Sequence, residues 1–137
     1  MTISKYITEF LKKYENISID TNHIQEGFDR NGLFKSPGRD KIEYADGSCK
    51  VTEHFQFFAR QVSVSETERK ETDEWLEELT YWIDDYGFEN EYPEIDGNRT
   101  VTDISVTAAP IPFMDEDAGI VYQMSLSITY TRIREEF

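Results

Sequence analysis

The chain has 137 residues, 38% of them hydrophobic and 14% aromatic, and a formal net charge of −14. That length suits one domain over residues 1–137 with a core of its own, and so high an aromatic share excludes a disordered chain, because each buried ring takes a large apolar area out of water. No run approaches the about 18 apolar residues that a membrane span needs, the first five residues contain no signal-peptide core, and the one cysteine, Cys49, cannot close an internal disulfide. Together these predict no membrane association and a reducing, cytoplasmic origin.

In chain order, Ile3, Tyr6, Ile7, Phe10, Leu11 and Tyr14 recur at helical spacing, with Lys5, Lys12 and Lys13 outside the stripe; this predicts an amphipathic helix whose apolar face is core. Ile17 to Asp20 alternates and reads as a short strand, while residues 21–39 are punctuated by Gly27, Asn31-Gly32 and Ser36-Pro37-Gly38 and yield no assignment. Ala45-Asp46-Gly47-Ser48 is a hairpin signal. A two-residue Asp-Gly turn would set Tyr44 against Cys49, Glu43 against Lys50 and Ile42 against Val51. Phe55 and Phe57 share one parity of the following strand; Phe58, Val62 and Val64 fall on the other, which calls for a bulge near 58–61 or burial on both sides.

Ser65 to Glu68 is a capping box. Thr72, Trp75, Leu76, Leu79, Trp82, Ile83 and Tyr86 then form one helical face, and Gly87 stands where a left-handed cap would end the helix, with Phe88 folded back on Ile83. Val101 to Ala108 is the next strand, with Ile104, Val106 and Ala108 on one face. Residues 110–119, with two prolines and three acids, read as a connecting loop. Ile120 to Tyr130 closes the chain with strict alternation: Ile120, Tyr122, Met124, Leu126, Ile128 and Tyr130 on one face, and Val121, Gln123, Ser125, Ser127 and Thr129 on the other. This strand is the expected sheet centre, covered by the Trp75–Trp82 helix and flanked by Val101 to Ala108. The fold class expected is α+β: an antiparallel β-sheet with two main helices packed on one face.

Chemistry-bearing constellations are not apparent in this order. His23, His54 and Cys49 match no metal-ligand spacing, Asp115-Glu116-Asp117 lacks the spacing of a calcium loop, and neither a phosphate-binding glycine loop nor a nucleophile elbow is present. No catalytic residue, cofactor or metal is expected, and the chain reads as a non-enzyme. The negative charge is concentrated: residues 66–96 hold thirteen acids and two bases, Arg69 and Lys70. Such a segment repels nucleic-acid phosphates, so sequence-specific nucleic-acid binding is not expected. A solvated helix face is the plain explanation for it, and an electrostatic role at an interface or lumen the sharper one.

Several signals stand in an order that resembles the tail-terminator, or minor capsid, family of long-tailed bacteriophages and their prophages. They are the Tyr44-Ala45-Asp46-Gly47 turn, Phe55-Gln56-Phe57 with Arg60, the helix with Trp82-Ile83, the Tyr92-Pro93-Glu94-Ile95 connection, Val101 to Val106, and the closing Tyr122 to Tyr130 run. The resemblance covers about residues 40–132. It departs at the longer, more acidic Pro110 to Gly119 stretch and at the shorter segment between Arg60 and Ser65. What it implies is a structural virion protein: a homo-hexameric ring on the tail tube that stops tube growth and joins the head connector, assembled in the bacterial host cytoplasm and located in the tail or neck. Tail-tube and head-connector proteins would be its partners. Candidate interface residues are Ile111, Phe113, Met114, Asp115, Glu116 and Asp117, which dock if their loop protrudes and are edge core if it folds back. Glu74, Glu77 and Glu78 on the acidic helix are the others. Rival readings are another head–tail connector or tail-completion protein, and a small acidic cytoplasmic binding module acting as a monomer.

Overall fold

A computed structural model of the chain describes residues 1–14, 19–21, 30–61, 66–116 and 119–133. Helix α1 (Ile3–Lys12) is followed by strands β1 (Ile19–Thr21), β2 (Arg30–Glu43) and β3 (Cys49–Gln61), helix α2 (Glu66–Glu89), and strands β4 (Arg99–Glu116) and β5 (Gly119–Arg132). The sheet order is β1-β2-β3-β5-β4. The four long strands are antiparallel, and the three-residue β1 adds a parallel edge beside Asn31 to Leu33. The protein is therefore α+β, with β5 interior and flanked by β4 as expected, while β3 takes the middle of the sheet.

One face of the sheet is the core. Val51, Phe55, Phe57 and Ala59 of β3 lie against Tyr130, Leu126, Met124 and Tyr122 of β5, and all eight are buried. Ile3, Tyr6, Ile7, Phe10 and Leu11 of α1 and Leu76, Leu79 and Ile83 of α2 join the same cluster. Burying side chains of this size contributes about 1.5–3 kcal/mol each, far more than helix propensity, so tertiary packing holds both helices in place. Thr2 caps α1, its hydroxyl accepting the Lys5 N–H at 3.1 Å. Between the helices, Phe10 meets Trp82 and Tyr86 at ring-centroid distances of 5.0 and 4.9 Å, and Tyr14 meets Trp75 and Trp82 at 5.8 and 5.4 Å.

Five expectations are corrected. The β2–β3 hairpin has a three-residue loop: Tyr44 N–H donates to Ser48 O, Gly47 N–H donates to Tyr44 O, and Gly47 takes a φ of 91°. That is a type I turn closed by a left-handed residue, and it moves the register by one. Ile42 now opposes Lys50, and Glu43 opposes Cys49. Ile42 therefore falls on the face away from the helices and is 54% exposed. In β3 no bulge occurs near 58–61; the ladder with β5 is continuous to Gln61, and Phe58 stands on the open face edge-on to Phe34. Val62, Val64 and Ser65 lie outside the described residues.

Gly87 does not end α2, which runs on to Glu89, and it does not have a positive φ. Phe88 is 89% exposed and makes no return contact with Ile83. What Gly87 provides is room: a Cβ there would stand 2.7 Å from the Tyr92 hydroxyl. Residues 110–116 are not a loop but the second half of β4, paired to β5 as far as Glu116 opposite Gly119. Four register shifts along β4, one spanning Pro110, bend this edge strand and also put Val101 and Ile104 on the same inner face. Ala108, expected inside, is exposed.

Candidate interaction surfaces

The first surface is the outer side of α2. Its apolar stripe turns to the sheet, so the intervening Asp73, Glu74, Glu77, Glu78, Asp84 and Asp85 are exposed, as helical spacing demands. Two of the helix's acceptors are engaged: Glu77 accepts the Tyr81 hydroxyl at 2.8 Å, and Asp84 accepts the Val106 N–H of β4 at 2.9 Å. The Tyr92 hydroxyl likewise accepts the Ile104 N–H at 3.2 Å. These contacts seal part of β4's outer edge.

Beyond Val106 the edge and helix separate into a groove of about 500 Å³. Leu76 and Thr80 line it from α2, with Asp73, Glu77 and Tyr81, and Ala109 and Pro110 line it from β4. Ile111, next along the strand, is 61% exposed. The fold thus brings Glu77 close to the stretch that contains Ile111, a link that sequence distance conceals. Glu74 and Glu78 flank Glu77 on the exposed helix surface. Phe113, Met114, Asp115 and Glu116 have their backbone in β4, with Met114 opposite Val121 and Asp115 opposite Ile120; Asp117 lies outside the described residues.

The second surface is the open face of the sheet. Thr52 and Thr129 share a hydrogen bond of 3.0 Å, and Ser105 and Ser127 one of 3.3 Å. Gln56 accepts from both Gln123 and Ser125. These residues bind one another across the strands, so the polar groups are satisfied within the face. On the same face His54, opposite Ser127, approaches Asp40 to 3.3 Å. Cys49, buried on the opposite face, is not near His54's side.

A buried acid is the feature that sequence reading passed over. Glu53 is 4% exposed, on the helix-covered face between Val51 and Phe55. Lys35 Nζ lies 2.7 Å from one oxygen, and the Tyr130 hydroxyl donates to the other at 2.7 Å. Burial pushes the Glu53 carboxyl up, but the hydrogen bonds of Lys35 and Tyr130 and the charges of Lys35 and Arg39 together outweigh it and hold the group below the ordinary glutamate range. The Tyr130 phenol is pushed up to about 12, by burial first and by Glu53 second. An acid at an inward position of an alternating strand was the available signal. Both oxygens are engaged, which makes this a structural tie.

Among the described residues no group of three or more His, Cys, Asp or Glu side chains is placed to hold a metal ion. Among them, too, no helix is long and apolar enough to cross a membrane. The chain matches no known family profile and no curated protein.

Proposed function

We propose that this protein is a tail terminator, a non-enzymatic structural component of a long-tailed phage or prophage. It closes the tail tube as a ring of about six copies and offers the joining surface to the head connector. The observation that carries this reading is the open sheet face. In a chain of net charge −14, the centre of that face is built from Thr52, Gln56, Gln123, Ser125, Ser127 and Thr129, all uncharged. That uncharged centre, flanked by Asp40 opposite Thr52 and Asp103 opposite Thr129, suits a neighbouring subunit or an inner wall. Both helices pack on the other face, Ser127 and Thr129 are buried at 6% and 9% exposure, and contacts between unlike surfaces, such as this face and the β1–β2 edge, are what close a head-to-tail ring. The order of the turn, the Trp82-Ile83 helix and the closing strand adds the resemblance to terminators.

Solution mass and negative-stain imaging, with and without purified tail tubes, test the proposal. Rings of about six subunits, or tubes whose growth stops when the protein is added, are expected. A monomer that leaves tube growth unchanged overturns it. The acidic face of α2 is assigned to a basic partner surface or to the lumen. Reversing Glu74, Glu77 and Glu78 to lysine is expected to impair tail joining or DNA passage without unfolding the chain; wild-type infectivity of that variant would remove the assignment.

A further inference from the structure

We propose that the groove between α2 and β4 takes an extended, basic segment of a partner protein, laid alongside the edge of β4. This goes beyond the terminator reading and does not rest on it. The groove has the parts that strand addition requires: a sheet edge on one side, a helix on the other, and an apolar floor between them. Leu76, 2% exposed, supplies the floor, and Tyr81, 57% exposed, forms a flat rim. Where α2 touches β4 directly, side chains take the edge N–H groups of Ile104 and Val106. Beyond Val106 the groove opens, with Ala109 and Pro110 of β4 among its lining. Thr107, Ala108 and Ala109 are exposed and small, so a backbone can approach closely, and register shifts on both sides of Ala108 restrict the ladder it can form. Pro110 has no N–H and limits the ladder, so the added strand is short.

Charge selects the occupant. Asp73 and Glu77 stand on the helix wall of the groove, within a segment of thirteen acids and two bases. Lysine or arginine at alternate positions of an added strand would face that wall, and the residues between them would point to the opposite face of the sheet. A second copy of the chain, itself at −14, is the poorer electrostatic fit.

The test is fluorescence anisotropy with a labelled hexapeptide of alternating lysine and valine. Three comparisons accompany it: a glutamate–valine peptide, a backbone N-methylated lysine–valine peptide, and the variant D73K/E77K. The sites are exposed, and circular dichroism checks that the variant is folded. Binding is expected for the lysine–valine peptide alone, falling with added salt, and at least about tenfold weaker both for the variant and for the N-methylated peptide. No binding to the unmodified protein overturns the proposal, as does equal binding to the variant. Equal binding of the N-methylated peptide also overturns it, since that would be charge attraction without a strand ladder. Self-association abolished by D73K/E77K, with no peptide bound, assigns the groove to a second copy and overturns it too. Ring formation and tube capping are separate readouts, so failure here leaves the terminator reading standing.

Discussion

At the scale of single residues, two positions carry consequences out of proportion to their size. Glu53 is a buried carboxylate whose two partners, Lys35 and Tyr130, come from strands on either side of β3. Tyr130→Phe removes one donor and leaves a buried carboxylate oxygen without it, which costs about 1–3 kcal/mol, read as a lower midpoint in urea denaturation. Because the folded Glu53 titrates below its ordinary 4.5, its contribution is complete above that pH and is lost as pH falls through the lowered value. Glu53→Gln should flatten the acid limb of the stability–pH curve. At the other extreme, Tyr6 and Tyr130 are both raised from 10.0 to about 12. The folded state holds those protons more tightly than the unfolded chain, so stability is full below pH 10 and is lost as pH rises through about 12. Shifts of that size correspond to at most roughly 2–3 kcal/mol each. Tyr6→Phe, which also removes the hydrogen bond to Pro93 O at 2.7 Å, should show a shallower alkaline loss.

Gly87 is the second such position. Alanine there would gain about 1 kcal/mol of helix propensity, yet its Cβ would meet a Tyr92 ring packed against Phe10 and Tyr86 and bonded to β4. A clash with a clamped ring costs about 1–3 kcal/mol, so Gly87→Ala is expected to destabilise on balance. Adding Tyr92→Phe, which removes the atom at 2.7 Å, should recover part of the loss in thermal denaturation.

At the scale of elements, helices were more legible than turns. The stripe from Ile3 to Leu11 and that from Trp75 to Tyr86 each name their buried face, because several residues in each agree on one phase. A hairpin register rests on one turn, and there Asp46-Gly47 admits two solutions. Asp46 accepts the Ser48 N–H at 2.9 Å and its hydroxyl at 2.6 Å, which favours the longer loop with Gly47 alone at positive φ. Gly47→Val would force a β-branched residue into that conformation at a cost of about 1–2 kcal/mol. The expected result is a lower melting temperature, with loss of the Tyr44–Ser48 cross-strand NMR contacts before those at Phe55–Leu126. The stretch at 110–116 misled for a related reason. Prolines exclude central strands but are tolerated on an edge with bulges, and sequence alone does not say which strand will be the edge.

At the scale of the whole molecule, charge has the widest reach. Ten acids and two bases in α2 place like charges close together along the helix, and repulsion opposes compactness at low salt. Neutralising Glu74 and Glu78 to glutamine should raise the melting temperature in dilute buffer, with a gain in stability of about a few tenths of a kcal/mol. That gain should vanish near 1 M salt, where the screening length is about 3 Å. An unchanged melting temperature at low salt would mean that repulsion on this face carries no stability cost.

The candidate surfaces divide along the same line as the fold. The acidity of α2 and the uncharged alternation of Gln123, Ser125, Ser127 and Thr129 were legible from residue order, because period and composition are local properties. So were the fold class and the interior place of the closing strand. Only the tertiary structure decided that Glu77 lies beside Ala109 and Pro110, that β4 is a bulged edge with a groove along it, and that Glu53 is buried between Lys35 and Tyr130. Those facts depend on which strands become neighbours and in what register. That choice is made by the packing of the whole core, and no single segment encodes it.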